Sequence, residues 1–179
     1  TGATQVFIYN NDTLAVAFVS QMEDKIIKYQ NGIWSPIWNH VIGSLPSTNY
    51  NLRLFEYQSN LYAYDQRNWP AQSQIFVVNS DTLKYIGSTN HRIKDVAVHN
   101  NNVYFVGDSI SGTLNMVSKF NGNVITPFFG APNSLWKSQV VGSEMFVFSK
   151  EIKDYNGISY NHAFKFKDNY AILKGNIFH

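Results

Sequence analysis

Cysteine is absent from the sequence, which excludes disulfide bonds, thiol nucleophiles and cysteine-ligated zinc. Charge is scarce as well. Asp, Glu, Lys and Arg make up 15% of the residues, against roughly a quarter in ordinary domains. The formal net charge of +2 is too small to favour nucleic acid or an acidic membrane surface as a partner. No block of like charges interrupts the chain, and no apolar run approaches the ~18 residues of a membrane span. The motifs of several enzyme classes are missing too: no HExxH zinc pair, no GxSxG nucleophile elbow, no glycine loop to cradle a phosphate. The sequence therefore calls for no metal and no cofactor. It opens on TGATQV, without an initiator Met or the apolar core of a signal peptide, so the expectation is a processed form or an excised domain.

What is present is apolar and aromatic. Hydrophobic residues reach 44% and Phe, Trp and Tyr 16% of 179 residues, enough for a folded core. Asn occurs 21 times, often beside Gly, Ser, Asp or another Asn. Asn tolerates left-handed backbone, so this mixture suits short strands joined by tight turns. The stretch IIKYQNGIWSPIW (26–38) reads that way: a strand, a turn at Asn31-Gly32 and a second strand. No capping box precedes a long run of 3.6-residue period, so helices are not expected.

The hairpin recurs. VFIYNNDTLAVAFV, LRLFEYQSNLYAYD, DVAVHNNNVYFVGD and SQVVGSEMFVFSK share one plan, with turns starting at Asn10, Gln58, Asn100 and Gly142, spaced 48, 42 and 42 residues apart. The hairpin at Asn31 has its own partners in IFVVNSDTLKYI, MVSKFNGNVITPFF and HAFKFKDNYAIL, with turns near Asn79, Asn121 and Asp168. Two hairpins in fixed order, four times over, predict four antiparallel strands per unit. The units run approximately 4–44, 50–89, 91–131 and 134–179 within one repeat domain, 1–179.

A period of about 40–50 residues with four strands is that of a β-propeller blade, and the sequence resembles the β-propeller superfamily. KYQNGIWSPI and SKFNGNVITPF are similar to the outer hairpin of kelch-like blades, and IKDVAVHNNNVYFVGD to the opening of a hemopexin-like blade. The Gly-Gly pair of kelch repeats and the Trp-Asp dipeptide of another propeller family are missing. The resemblance thus implies an all-β propeller of about four four-stranded blades and no particular subfamily. A β-sandwich or a stack of meanders uses the same hairpins and stands as the alternative. Four blades could also belong to a larger ring, or form half of one that a homodimer completes.

Several residue groups are candidates for a site. Gln5, Arg53, Lys94 and Lys137 stand four residues before Tyr9, Tyr57, Val98 and Val141. In a propeller the first strand lines the central channel, so the resemblance implies that Arg53, Lys94 and Lys137 converge there, as a site for a carboxylate, phosphate or sulfate. The plain alternative is a solvent-exposed strand end. Trp34, Trp69 and Trp136, with Trp38, lie near turns or strand ends, where Trp can stack on sugar rings while Asn and Asp bond the hydroxyls. Packing between strands is the competing role for Trp34 and Trp38, whereas Trp69, in the polar stretch DQRNWPAQ, is expected to be exposed. Asp24, Asp65, Asp108 and Asp154 recur between second and third strands and could line a pocket or hold Ca²⁺. With no dense calcium loop, they read as solvated loop carboxylates. His99 and His179 read as exposed polar residues.

These features lead to a non-catalytic, lectin-like binding module that engages a glycan or a protein partner through its loops. The rival is an enzyme of glycosidase or lyase type with an axial pocket, and a third reading is a structural part of a larger propeller protein. The acceptor triplet Asn11-Asp12-Thr13 on a hairpin turn points toward a secreted or cell-surface protein.

Overall fold

The computed structural model describes residues 2–20, 23–37, 40–42, 51–66, 72–79, 82–110, 115–130, 135–153, 158–167 and 170–178. They are all-β, with no helix among them and so none long and apolar enough to cross a membrane. The first sheet is β1 (Gly2–Tyr9), β2 (Asp12–Ser20), β3 (Glu23–Gln30) and β4 (Ile33–Pro36). After β5 (His40–Ile42) comes the second, β6 (Leu52–Tyr57), β7 (Asn60–Asp65), β8 (Gln74–Val78) and β9 (Thr82–Ser88). The third is β10 (His91–His99), β11 (Asn102–Ser109), β12 (Asn115–Phe120) and β13 (Ile125–Gly130). The fourth is β14 (Leu135–Val141), β15 (Glu144–Lys153), β16 (Ile158–Lys167) and β17 (Tyr170–Phe178). Each is an antiparallel meander in chain order. The exception is β5, which pairs in parallel with β9 through His40↔Thr82 to Ile42↔Lys84. The sequence reading placed these residues in the 4–44 unit; they instead cover the open main-chain edge of the second sheet, where unpaired N–H and C=O groups would otherwise remain.

Local chemistry explains the hairpins. Asn10-Asn11, Gln58-Ser59 and Asn100-Asn101 are two-residue loops with positive φ at both positions, 48° and 66°, 49° and 58°, 45° and 54°. This is type I′ geometry, whose twist matches that of the flanking strands. Asn31 and Gly32 repeat it at 51° and 82°. The residue after the loop reinforces two of them: Asn60 and Asn102 donate through Nδ2 to the carbonyls of Gln58 and Asn100, at 3.0 and 2.7 Å.

The strands fall into two compact units, β1–β9 and β10–β17. In the first, β1 and β2 lie against β6. Alternate residues of the paired strands point inward, so Leu14, Val16 and Ile26 meet Leu52, Leu54, Leu61 and Phe76 in one core. In the second unit, β10 and β11 lie against β14, and Tyr104, Val106 and Val117 meet Leu135, Met145 and Val147.

A polar joint accompanies each core. The register of β1 shifts between Ala3 and Gln5, and that of β10 between Ile93 and Asp95. Such a bulge re-aims the side chain that follows it. Gln5 then bonds the main chain of β6 twice: Oε1 accepts from Leu54 N at 2.6 Å and Nε2 donates to Leu54 O at 3.0 Å. Asp95 holds β14 in the same way, Oδ2 accepting from Ser138 N at 2.7 Å and from Ser138 Oγ at 2.8 Å. Gln5 and Asp95 each stand four residues before their hairpin turn's last strand residue, and Leu54 and Ser138 three before theirs. One joint therefore serves both units.

Candidate binding cleft

A cavity of about 290 Å³ opens in the first unit, lined by Tyr9, Asp12, Leu14, Lys28, Ile37, Leu61, Val78 and Asn79. It lies at the turn end of the two sheets, where β1, β2 and β3 face β7 and β8. Leu14, Leu61, Ile37 and Val78 give it an apolar floor that continues the core. The rim is polar. Asp12 and Lys28 form an ion pair at 2.8 Å, and Tyr9 reaches across to donate its hydroxyl to the carbonyl of Ser59 at 2.8 Å. Asn79 is held by two main-chain bonds with Thr82, at 2.9 and 3.3 Å, as the closing pair of the β8–β9 turn.

The second unit shows why this space is open. Strand registers equate Leu14 with Tyr104, Ile37 with Phe128, Lys28 with Lys119 and Tyr9 with His99. In the second unit the larger rings occupy the equivalent region: Tyr104 meets Phe128 edge-on at 5.3 Å and His99 at 6.4 Å, and Lys119 lies 6.0 Å over the Phe128 ring. Exchanging Tyr for Leu and Phe for Ile removes most of two aromatic rings, which leaves a cavity where the twin site is packed. Asp12 departs from the repeat in its turn. It stands where Asn60 and Asn102 donate to the turn, and an ionised carboxylate cannot donate. It pairs with Lys28 instead. The fourth sheet has the corresponding acid–lysine pair, Glu144 with Lys165, so the pair alone does not define the cleft; the missing rings do.

The basic residues expected to converge have partners within their own units. Arg53 donates to the Thr4 carbonyl at 2.8 Å, Lys94 lies 3.5 Å from Asp108, and Lys137 bonds Asp95 at 3.2 Å. Lys94 is also a register error of the sequence reading. Strand β10 ends at His99, not Val98, so Asp95 is the counterpart of Gln5, Arg53 and Lys137, and Lys94 is the extra residue at the bulge between Ile93 and Asp95. Trp34, for which packing competed with ligand stacking, is 45% exposed and leans on Tyr29 with ring centres 5.1 Å apart. Trp38, Trp69 and Asp154 lie outside the described residues, as does the side chain of Trp136, which stands in the bulge of β14.

Three carboxylates and a histidine expected in solvent are buried: Asp24, Asp65, Asp108 and His99. The main chain and neighbouring cations account for the carboxylates. Asp24 accepts from Leu52 N at 2.7 Å and Asp65 from Asn51 N at 3.4 Å. Asp108 receives the guanidinium of Arg92 together with Lys94. Burial pushes the Asp24 carboxyl above its usual range, against the opposing pull of the Leu52 N–H and Arg53.

Beside Asp108 lies His91, fully buried, with Ser118 near it. His91 Nε2 stands 3.1 Å from the Phe105 carbonyl, which can only accept, so Nε2 carries the proton. Nδ1 is then bare and faces Ser118 Oγ at 3.5 Å. A serine–histidine–carboxylate relay needs a carboxylate behind the imidazole; here that place belongs to a main-chain carbonyl. Burial lowers the His91 pKa to about 4, with the Phe105 carbonyl and Asp108 pulling the other way. The arrangement packs a neutral imidazole. Among the described residues no three His, Asp or Glu side chains gather into a metal site.

No protein-family model matches the chain, and no curated protein matches its sequence. The cleft residues escaped the sequence reading because none forms a motif. Their signal is comparative: Leu14 and Ile37 are small where Tyr104 and Phe128 are large, and that shows only once the hairpins are aligned in true register.

Proposed function

We propose that the chain is a non-catalytic binding module, built of propeller-type blades, that takes one sugar residue of a glycan in the cleft of its first unit. The observation that carries this reading is the cleft itself, open where its counterpart is filled by Tyr104 and Phe128. Its size is close to the lower end of ligand pockets, roughly 300 Å³, which suits a single ring. An apolar floor complements the C–H face of a pyranose, while Asp12, Lys28 and Asn79 offer acceptors and donors to its hydroxyls. The blade reading is supported by four meanders in chain order and by first strands joined through one repeated polar contact. An axial-pocket enzyme draws less support, because Arg53, Lys94 and Lys137 are engaged with groups of the protein.

A glycan array followed by titration calorimetry tests the proposal. Wild type should bind a defined glycan set. Leu14→Phe, which rebuilds the filled form, should abolish that binding while keeping its melting temperature. Asp12→Asn should weaken it about tenfold, the effect of losing one charge-assisted hydrogen bond. Undiminished binding by Leu14→Phe, or no glycan bound by the folded chain, would sink the assignment.

A further inference from the structure

The first sheet has two sides, and one of them is bare. By register, Ile8, Thr13, Tyr29 and Trp34 stand in a row across its four strands on the side away from the cleft. Val6, Ala15, Ile27 and Pro36 form the next row, where only the small Ala15 is buried between its larger neighbours. Val6 and Ile8 are 64% and 62% exposed, and Tyr29 and Trp34 45% each. A contiguous apolar patch of this kind marks an interaction surface.

The same side of the third sheet shows what such a face does. Its row is Val98, Val103, Phe120 and Ile125; there Val98, on the first strand, is 44% exposed, but the central Val103 and Phe120 are buried to within 1%. A face with this register is a packing face. The joints show what a receiving side packs against within a unit: that of the second sheet meets the first sheet, and that of the fourth sheet meets the third. The sheet carrying Gln5 or Asp95 offers the side of its first strand that bears that residue, and the following sheet receives it on the alternate residues, Leu54 or Ser138. The first sheet's bare side is a receiving side. On the fourth sheet the offering side carries Lys137, Gln139 and Val141; Val141 is 59% exposed.

We propose that the bare side of the first sheet receives the fourth sheet of a second copy of this chain, continuing the interface by which sheets already pair within each unit. The contact is heterologous, joining two different surfaces, so copies link head to tail into a closed ring or an open string.

Sedimentation velocity over a wide concentration range tests this on the whole chain. Wild type should associate as concentration rises. The double variant Val6→Lys/Ile8→Lys blocks the receiving side, and Val141→Lys blocks the offering side. All three positions are exposed, so circular dichroism should report unchanged folds. Each variant alone should associate about tenfold more weakly or not at all. Mixed, the two should form a dimer and nothing larger, because one productive contact remains between them. Wild type that stays monomeric throughout overturns the proposal, as does association insensitive to either variant or a mixture that forms no dimer. Glycan binding, measured separately, does not enter the readout.

Discussion

His91 gives its ring proton to the Phe105 carbonyl and has no exposed surface, so a second proton has no solvated place to go. Its pKa is about 4 in the fold against an ordinary 6.5, and the sign of the pH effect follows. The unfolded chain binds the proton more readily, so this contribution to stability is fully present above pH 6.5. It shrinks as pH falls toward 4, by about 3 kcal/mol in all. Urea midpoints should therefore drop across that interval, and His91→Gln should flatten the drop. Asp24 acts in the opposite sense. Its raised carboxyl pKa favours the fold at low pH and withdraws that support as pH climbs, so the Asp24→Asn variant should gain on wild type toward neutrality. A second residue under strict constraint is Gly107, paired with Ile93 across β10 and β11. A Cβ there would overlap the Arg92 carbonyl oxygen and come 3.1 Å from the His91 ring. Gly107→Ala should cost about 3 kcal/mol or more in thermal or urea melts, an overpacking penalty against rigid main chain. Buried groups of this kind were hidden in the sequence. A carboxylate near a strand end looks solvated until a main-chain N–H or a guanidinium is brought to it, as happens to Asp24 and Asp108.

At the scale of elements, the polar joint is the feature to test. Asp95→Ala leaves the Ser138 N–H without its acceptor in a part-buried place, which should cost about 2 kcal/mol. Lys137→Ala removes an ion pair whose lysine is 66% exposed and should change stability by less than about 1 kcal/mol. Paired urea melts that show equal losses would refute the view that the carboxylate's hold on the main chain, not its charge partner, matters. Hairpins were the most legible elements. The turns at Asn10, Asn100 and Gly142 announce themselves because few residues tolerate left-handed backbone and Asn and Gly lead among them, whereas Gln58-Ser59 adopts the same backbone with neither and shows itself only through the repeat spacing. Bulges were not legible. An inserted residue such as Lys94 has no distinguishing chemistry, yet it shifts the strand by one and sends Asp95 where Lys94 was expected.

For the whole molecule, the all-β character and the succession of hairpins could be read from alternation and turn spacing, because both are local. The pairing of β5 with β9 could not, since it depends on which edge is left uncovered. Nor could the cleft: its floor is ordinary aliphatic sequence, and only the packed twin in the second unit reveals the space as an omission. The joints that hold the sheets in pairs carry one more consequence. Gln5 grips an amide and a carbonyl of Leu54, and Asp95 an amide of Ser138. Those main-chain groups are offered by nearly every amino acid, so the gripped strand is free to drift in sequence without loosening its attachment, and a gene built of such units can diverge in its ligands long before it diverges in its frame.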